Sequence, residues 1–334
     1  MISLLRKIGS CIILLWVAFG LAACGGFVKG GDNRHNQPLS SATQAGLRAI
    51  GSSPEAPMLV RLFKEEKVLE VWKKTDRGPF KLFKTYGICA YSGGLGPKIK
   101  EGDRQSPEGF YTITPGLMNP KSNYYLAFNT GFPNKFDRAW GRTGSNLMVH
   151  GDCSSSGCYA MTDEGVAEIY ALARESFKGG NPSFQIQAFP FRMTAANLAK
   201  NSASEHVGFW KNIKEGYDLF ELNKQPPVWD VCERKYIFNA GNTAPLDAMG
   251  PCPAVTRDPA LAARLAAEEA AYTSTVEREA LAAERAAAAE AAAKARGEAI
   301  NGFFGGLFGG GKDENITPVI SGQTAPIPMA PPSR

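Results

Sequence analysis

At 334 residues, 44% hydrophobic and 21% charged, the chain is long enough for one or two domains with a substantial core and is not a small disulfide-stapled scaffold. Its 37 Lys and Arg stand against 32 Asp and Glu; the net +5 is too mild and too dispersed for a nucleic-acid footprint, so no nucleic acid is expected as a partner. With 36 Gly and 22 Pro punctuating short apolar runs, the composition favours strands and turns over an all-helical body.

Arg6 and Lys7 precede an apolar stretch from Cys11 to Ala23, too short for an ordinary membrane span but the right length for the hydrophobic region of a secretion signal. The stretch closes with Leu21-Ala22-Ala23-Cys24, followed by Gly25 and Gly26. This resembles a bacterial lipobox, whose cysteine becomes residue one of the mature protein and carries the lipid. The alternative is an uncleaved anchor helix with an incidental Cys24. On the lipobox reading, residues 1–23 are a signal peptide and Cys24 tethers the protein to membrane. The expected location is the periplasmic face of a bacterial cell envelope. Gly25 in place of Asp resembles outer-membrane rather than inner-membrane retention.

Residues 24–56 are rich in Gly, Ser, Asn, Gln and Pro, with few large apolar side chains, and are predicted to form a flexible tether. The body is predicted over 57–230. Strand-like runs cover 58–63, 68–72, 80–90, 110–114, 124–129 and 146–150, separated by Gly and Pro. Val166, Ile169, Tyr170 and Ala173 fall at i, i+3, i+4 and i+7, which predicts a helix over 162–177 with Asp163 and Glu164 in an acidic first turn. Shorter helices are predicted over 194–201 and 204–215. Residues 231–257 read as a turn-rich segment bracketed by Cys232 and Cys252. At Asp258 and Pro259, a cap and a first-turn proline, an Ala-, Glu- and Arg-rich helix is predicted to begin and to run over 258–300. Leu261, Leu265, Tyr272, Val276 and Leu281 keep no heptad, favouring a lone solvated spacer helix over a coiled coil. The Gly- and Pro-rich residues 301–334 are predicted to be disordered.

Beyond Cys11 and Cys24, five cysteines remain: Cys89, Cys153, Cys158, Cys232 and Cys252. In an oxidising compartment an odd number implies one free thiol and two bridges, and four bridged cysteines allow three connectivities. Cys232–Cys252 is the favoured pair, with Cys89 and Cys153 the further candidates. The densest reactive cluster is His150-Gly151-Asp152-Cys153-Ser154-Ser155-Ser156-Gly157-Cys158, holding one of only three histidines. A free thiol is mostly protonated at neutral pH, and an adjacent imidazole is its usual activator. His150 at a strand end and Cys158 at the start of the following helix are expected to meet across the loop, with the helix position lowering the thiol pKa. Gly157 leaves room for a substrate carbonyl, and the Gly157 and Cys158 amides are candidate oxyanion donors. Three other readings compete. A structural zinc on His150, Cys153 and Cys158 lacks a fourth ligand and the familiar paired spacing. A Cys153–Cys158 disulfide would make the loop redox-sensitive, and an inert buried cysteine beside a core histidine is the third. No metal or cofactor is expected. His206, Tyr217, Phe220 and Trp229 read as packing residues, and His35 lies in the tether.

These residues resemble the YkuD-type L,D-transpeptidase family, in its YafK-like branch. Ser106-Pro107-Glu108-Gly109-Phe110-Tyr111-Thr112-Ile113, within 102–113, is similar to the family's substrate-side approach to a strand. Asn123-Tyr124-Tyr125-Leu126-Ala127-Phe128-Asn129, with Phe132-Pro133-Asn134 and Asp137-Arg138, resembles the stretch before the active site. Met148-Val149-His150-Gly151 and Ser156-Gly157-Cys158-Tyr159-Ala160-Met161-Thr162-Asp163 resemble its His-Gly and Ser-x-Gly-Cys elements in order. The resemblance covers 58–229 and departs from the family pattern in two places. Only seven residues separate His150 from Cys158, fewer than in typical members but in keeping with this branch, and Ser156 stands where a second histidine is usual. Ala160 stands where an arginine would clamp a substrate carboxylate; Arg138, Arg142 and Arg104 are candidate substitutes.

The resemblance implies a mainly β catalytic domain, an L,D-transpeptidase-like β-sandwich with short helices, followed here by the Ala-rich helix and tail. It implies that Cys158 attacks a meso-diaminopimelate carbonyl of a peptidoglycan stem peptide, with His150 as general base, the Gly151 carbonyl orienting its ring, and Ser156 and Gly157 beside the substrate. The amine acceptor would be a second stem peptide or an envelope protein. A rival reading delivers the acyl group to water, releasing proteins or residues from peptidoglycan. A third makes the chain a non-catalytic peptidoglycan-binding lipoprotein.

Overall fold

The computed structural model describes residues 32–241 and 243–308; residues 1–31, with the expected signal segment and Cys24, and residues 309–334 lie outside them. In chain order come helix α1 (Ser41–Ala49), then strands β1 (Met58–Phe63), β2 (Val68–Lys74), β3 (Phe80–Gly87), β4 (Ala90–Tyr91), β5 (Gly109–Ile113), β6 (Met118–Asn119) and β7 (Ala127–Asn129). Helix α2 (Lys135–Ala139) leads to β8 (Met148–His150) and β9 (Tyr159–Ala160), followed by α3 (Asp163–Lys178) and β10 (Phe184–Phe189). Helices α4 (Ala195–Lys200) and α5 (Val207–Asn223), the hairpin β11 (Trp229–Cys232) and β12 (Lys235–Phe238), and the long α6 (Pro259–Phe308) complete the chain.

Two five-stranded mixed sheets form the body, ordered β3-β2-β1-β10-β5 and β4-β9-β8-β7-β6. All six residues of β1 are buried because both faces of the first sheet are covered. Met58, Val60 and Leu62 enter one core with Ile186 and Ala188 of β10 and with Ile169 and Leu172 of α3. Phe63, on the opposite face, enters a second core with Trp210, Ile213 and Tyr217 of α5. Val149 and Tyr159 tie the second sheet into the first core. Gly216 is required where α5 crosses the sheet: a Cβ there would lie 2.5 Å from the rings of Phe110 and Phe238. The sheets with short helices and a long C-terminal helix match the expected fold class.

Several elements differ from the sequence-based expectation. The stretch read as a tether is ordered from Asp32 onward, because Leu39 and Leu47 supply apolar anchors that its polar composition masks. The Ser40 hydroxyl caps α1 by accepting from the Thr43 amide, and Thr43 donates to Glu168 of α3 at 2.6 Å. Arg174 donates to the carbonyls of His35 and Gln37. No strand was expected at β10, which is central and parallel to β1; its Phe-Gln-Ile-Gln-Ala-Phe alternation is the signal. The Cys-bracketed segment begins within a hairpin that pairs Trp229 with Phe238.

Helix α6 is not a lone spacer along its whole length. Leu261 is buried, Leu265 and Tyr272 pack on the second core, and Lys211 and Lys214 of α5 pair with Glu269 and Glu268. From Glu277 to Gly302 every residue is exposed. The helix also continues to Phe308, past the expected end at residue 300. Each further turn of an established helix gains its hydrogen bonds, while a glycine costs only about 1 kcal/mol.

Leu47→Ala empties a fully buried site and is expected to lower unfolding stability by about 2–5 kcal/mol. Urea denaturation measures it; an unchanged midpoint would return this segment to the status of a tether.

Candidate active site

Strands β8 and β9 run parallel with Val149 opposite Tyr159 and His150 opposite Ala160. Successive side chains of a strand alternate between faces. Val149 and Tyr159 therefore point together into the core, while Met148 and His150 share the other face with Ala160 and, one step before the ladder, Cys158. Strand spacing puts the His150 and Cys158 backbones about 8 Å apart on the diagonal, within reach of two side chains directed at a common reactant.

His150 is nearly buried and its ring is tightly placed. Nδ1 lies 2.5 Å from the Gly151 carbonyl oxygen. A carbonyl only accepts, so Nδ1 carries the proton and Nε2 keeps the lone pair needed in a base. Tyr124 covers the imidazole at 4.8 Å between ring centres. The Gly151 amide donates to the Tyr124 and Leu126 carbonyls. A Cβ on Gly151 would sit 2.4 Å from Asp163 Oδ1 and 3.0 Å from Tyr125 Cβ, so no larger residue fits without moving the turn.

Cys158 is the free thiol among the described residues. Its Sγ accepts from the Met148 amide at 3.4 Å and donates to the Asn146 carbonyl at 3.5 Å. Strand β9, not a helix, follows it, and α3 begins only at Asp163, so the expected lowering of the thiol pKa by a helix start is absent. Burial instead pushes the thiol up, against the opposing effects of the Met148 hydrogen bond and the Lys98 charge. Burial likewise pulls the His150 imidazole down, despite its bond to Gly151 and the nearby Asp152 carboxylate. Both shifts favour a neutral thiol beside a neutral imidazole.

The two amides expected to await an oxyanion are engaged. Ser155 Oγ accepts from Gly157 N at 3.3 Å and Cys158 N at 3.0 Å, and also contacts the Cys158 carbonyl and the Ser92 hydroxyl. Ser156 is exposed. None of the three arginine substitutes is built into a clamp here. Arg142 is buried in an ion pair with Asp137 and lies over the rings of Phe136 and Phe209, so it serves packing. Arg138 is exposed and donates to the Pro133 carbonyl, and Arg104 is an exposed loop residue.

The cation whose field reaches Cys158 is Lys98, which sequence reasoning missed. It is nearly buried and paired with Asp103 at 2.5 Å. Its stem lies against Gly144, where a Cβ would come within 2.4 Å of Lys98 Cε, close in sequence to the Asn146 carbonyl that receives the thiol proton. Lys98 belongs to the loop 92–108, whose Ser106 hydroxyl also donates to the Cys158 carbonyl. A fully buried pair, Lys64 with Glu108 at 3.0 Å, anchors this loop: Lys64 also donates to the Gly94 and Gly96 carbonyls, and Glu108 accepts from Gly96 N and Trp210.

Disulfides join Cys89 to Cys153 and Cys232 to Cys252. The first removes Cys153 as a zinc ligand and as a partner for Cys158. His206 packs edge-on against Trp210 and under Gly96.

Residues 60–180 match the family model of the YkuD L,D-transpeptidase catalytic domain. The two mixed sheets carrying His150 and Cys158 are thus a domain of that class. The chain is 45% identical over 184 residues to YafK of Escherichia coli strain K12, and the match covers 55% of this chain and 74% of that protein. The same figures hold for YafK of Escherichia coli O157:H7. The chain belongs to the YkuD-type L,D-transpeptidase family, in its YafK-like group. Among solved structures, the helical cell shape determining protein Pgp2 of Campylobacter jejuni is similar at 20% identity, covering 56% of this chain and 65% of that one, with a TM-score of 0.33. Bd1075 of Bdellovibrio bacteriovorus is 21% identical, covering 41% and 48%, with a TM-score of 0.29. The chain spans less than two thirds of each of these solved proteins.

Because the thiol is raised, iodoacetamide alkylation of Cys158 is expected to keep accelerating with pH beyond the ordinary thiol value of 9.0. Lys98→Met should move that profile to still higher pH, and Lys98→Arg should leave it in place. An unmoved profile in Lys98→Met would remove Lys98 from the thiol's surroundings.

Proposed function

We propose that this protein is a peptidoglycan L,D-transpeptidase in which Cys158 is the nucleophile and His150 the general base. The observation that carries the reading is the His150–Gly151 hydrogen bond, which leaves Nε2 basic on the face shared with the free thiol. His150 Nε2 takes the thiol proton as Sγ bonds to the carbonyl carbon at the meso-diaminopimelate residue of a stem peptide. Starting from a neutral pair, this transfer is coupled to substrate binding rather than completed beforehand. A rotation of the Ser155 side chain frees the Gly157 and Cys158 amides for the developing oxyanion. The tetrahedral adduct then collapses, His150 returns the proton to the departing amine, and an acyl-enzyme remains. An incoming amine, from a second stem peptide or an envelope protein, attacks that thioester and regenerates the thiol.

The reading includes processing at Cys24, so that a lipid holds the mature enzyme at the periplasmic face of the envelope beside its polymer. Metabolic labelling with a palmitate analogue should mark the wild-type chain and not Cys24→Ser; labelling of both would overturn the anchor.

Purified protein given labelled stem tetrapeptide should release the terminal amino acid and, with an amine acceptor present, form the amide-linked product. Cys158→Ala is expected to abolish both, and His150→Ala to lower turnover about 10²–10⁴-fold. Free tripeptide alone, with and without acceptor, would replace the transferase by a hydrolase. Unchanged turnover in Cys158→Ala would end the nucleophile assignment.

A further inference from the structure

We propose that the Cys89–Cys153 disulfide is a positioning element for the nucleophile loop, and that a dithiol which opens it disables acyl transfer while the domain stays folded. The inference rests on the assignment of Cys158 and His150 above.

Adjacent parallel strands are ordinarily joined by a crossover of a dozen or more residues. Strands β8 and β9 are parallel neighbours, yet only the eight residues from Gly151 to Cys158 join them. The chain makes this turn through left-handed backbone at Asp152 (φ 67°), Cys153 (φ 36°) and Gly157 (φ 129°). Glycine adopts that region freely, but the first two carry a Cβ and avoid it unless their surroundings hold them there.

Hydrophobic burial does not hold them. Asp152, Cys153, Ser154 and Ser156 are all exposed, and no large apolar side chain lies between Gly151 and Cys158. The Asp152–Cys153 half of the turn is held by a hydrogen bond from Asp152 N to Asp163 Oδ1 at 2.9 Å, another from Cys153 N to the Met161 carbonyl at 3.3 Å, and the covalent bond to Cys89, while Ser155, bonded to Ser92, holds the other half. Cys89 itself donates its amide to the Ala160 carbonyl at 2.9 Å. The bridge thus clasps the segment that follows the nucleophile from both sides.

Both ends of the loop do chemistry on the proposed mechanism. The Gly151 carbonyl, which fixes the His150 tautomer, belongs to the same rigid peptide as the Asp152 amide. Relaxation at Asp152 and Cys153 rotates that carbonyl away from Nδ1. At the other end, Ser155 holds the Gly157 and Cys158 amides.

The two bridges differ in accessibility. Cys89 and Cys153 are exposed residues, whereas Cys232 is fully buried. A dithiol thiolate attacks one sulfur of the exposed bridge, giving a mixed disulfide, and its second thiol then displaces the protein sulfur. Two electrons and two protons pass to Cys89 and Cys153, and the dithiol leaves as its own disulfide.

The test uses the full chain equilibrated with graded ratios of reduced and oxidised dithiothreitol, with mass spectrometry counting open Cys89–Cys153. On stem tetrapeptide, kcat is expected to fall about tenfold or more in proportion to the open fraction, with KM nearly constant and recovery on reoxidation. Circular dichroism should stay native throughout. Cys89→Ser/Cys153→Ser should show the low kcat without dithiol, and Cys232→Ser/Cys252→Ser should keep the dithiol response. Full kcat with the bridge open overturns the proposal. If the intact protein turns over no stem peptide, the functional reading fails separately, and Cys158 alkylation still decides this one. Opening the bridge should shift its pH profile to that of His150→Ala, and an unshifted profile overturns the inference.

Discussion

The site depends on one pairing: β9 lies parallel to β8 in the register that sets Tyr159 beside Val149 and Ala160 beside His150. A slip by one residue would turn Cys158 into the core and bring Tyr159 out to the imidazole, because strand side chains alternate strictly. The burial of Val149 and Tyr159, both fully enclosed, prevents that slip. Tyr159 adds a hydrogen bond from its hydroxyl to the Pro107 carbonyl, which also joins β9 to the loop 92–108. Packing on the back of the sheet therefore fixes chemistry on the front.

Electrostatics on that front face follow from the same burial. A thiol and an imidazole set into a sheet surface lose hydration, and each shifts toward its neutral form. A neutral thiol resists adventitious oxidation better than a standing thiolate. Gly151 is essential to this economy of space: the turn that supplies its carbonyl to His150 passes so close to Asp163 and Tyr125 that a side chain would displace it.

Much of this was legible in the sequence where a pattern is local. The short apolar runs of β1 and β2, the amphipathic α3 with its Thr162 cap, and the His-Gly and Gly-Cys elements all carry their signal within a few residues. What was not legible depends on contacts distant along the chain. Strand β9 is two residues long and exists only because β4 and β8 flank it. Leu39 and Leu47 look sparse in a polar segment, yet two well-placed leucines suffice when α3 offers a complementary face. Cys89 lies 64 residues from Cys153, so nothing local could pair them. Lys98 is an unremarkable loop lysine until Gly144 is seen to admit its stem.

The position of Ala160 explains why the cation near the thiol comes from a loop. Ala160 is fully buried and directly opposite His150 across a parallel ladder. An arginine there would have to extend over the same face as the imidazole or desolvate its guanidinium against the sheet, and burying an unpaired charge is costly. Lys98 approaches instead along the 143–146 segment, with Asp103 as its counter-ion and the Lys100 carbonyl as a second acceptor. That arrangement makes the charge depend on the loop's anchorage, and the loop is anchored by a second buried pair, Lys64 with Glu108. Burial pulls the Lys64 ammonium down, and Glu108 opposes this, so the pair persists as an ionic clamp only while both partners are present. The chain of dependence therefore runs from the end of β1, through Glu108 and the loop 92–108, to the field and hydrogen bonds around Cys158.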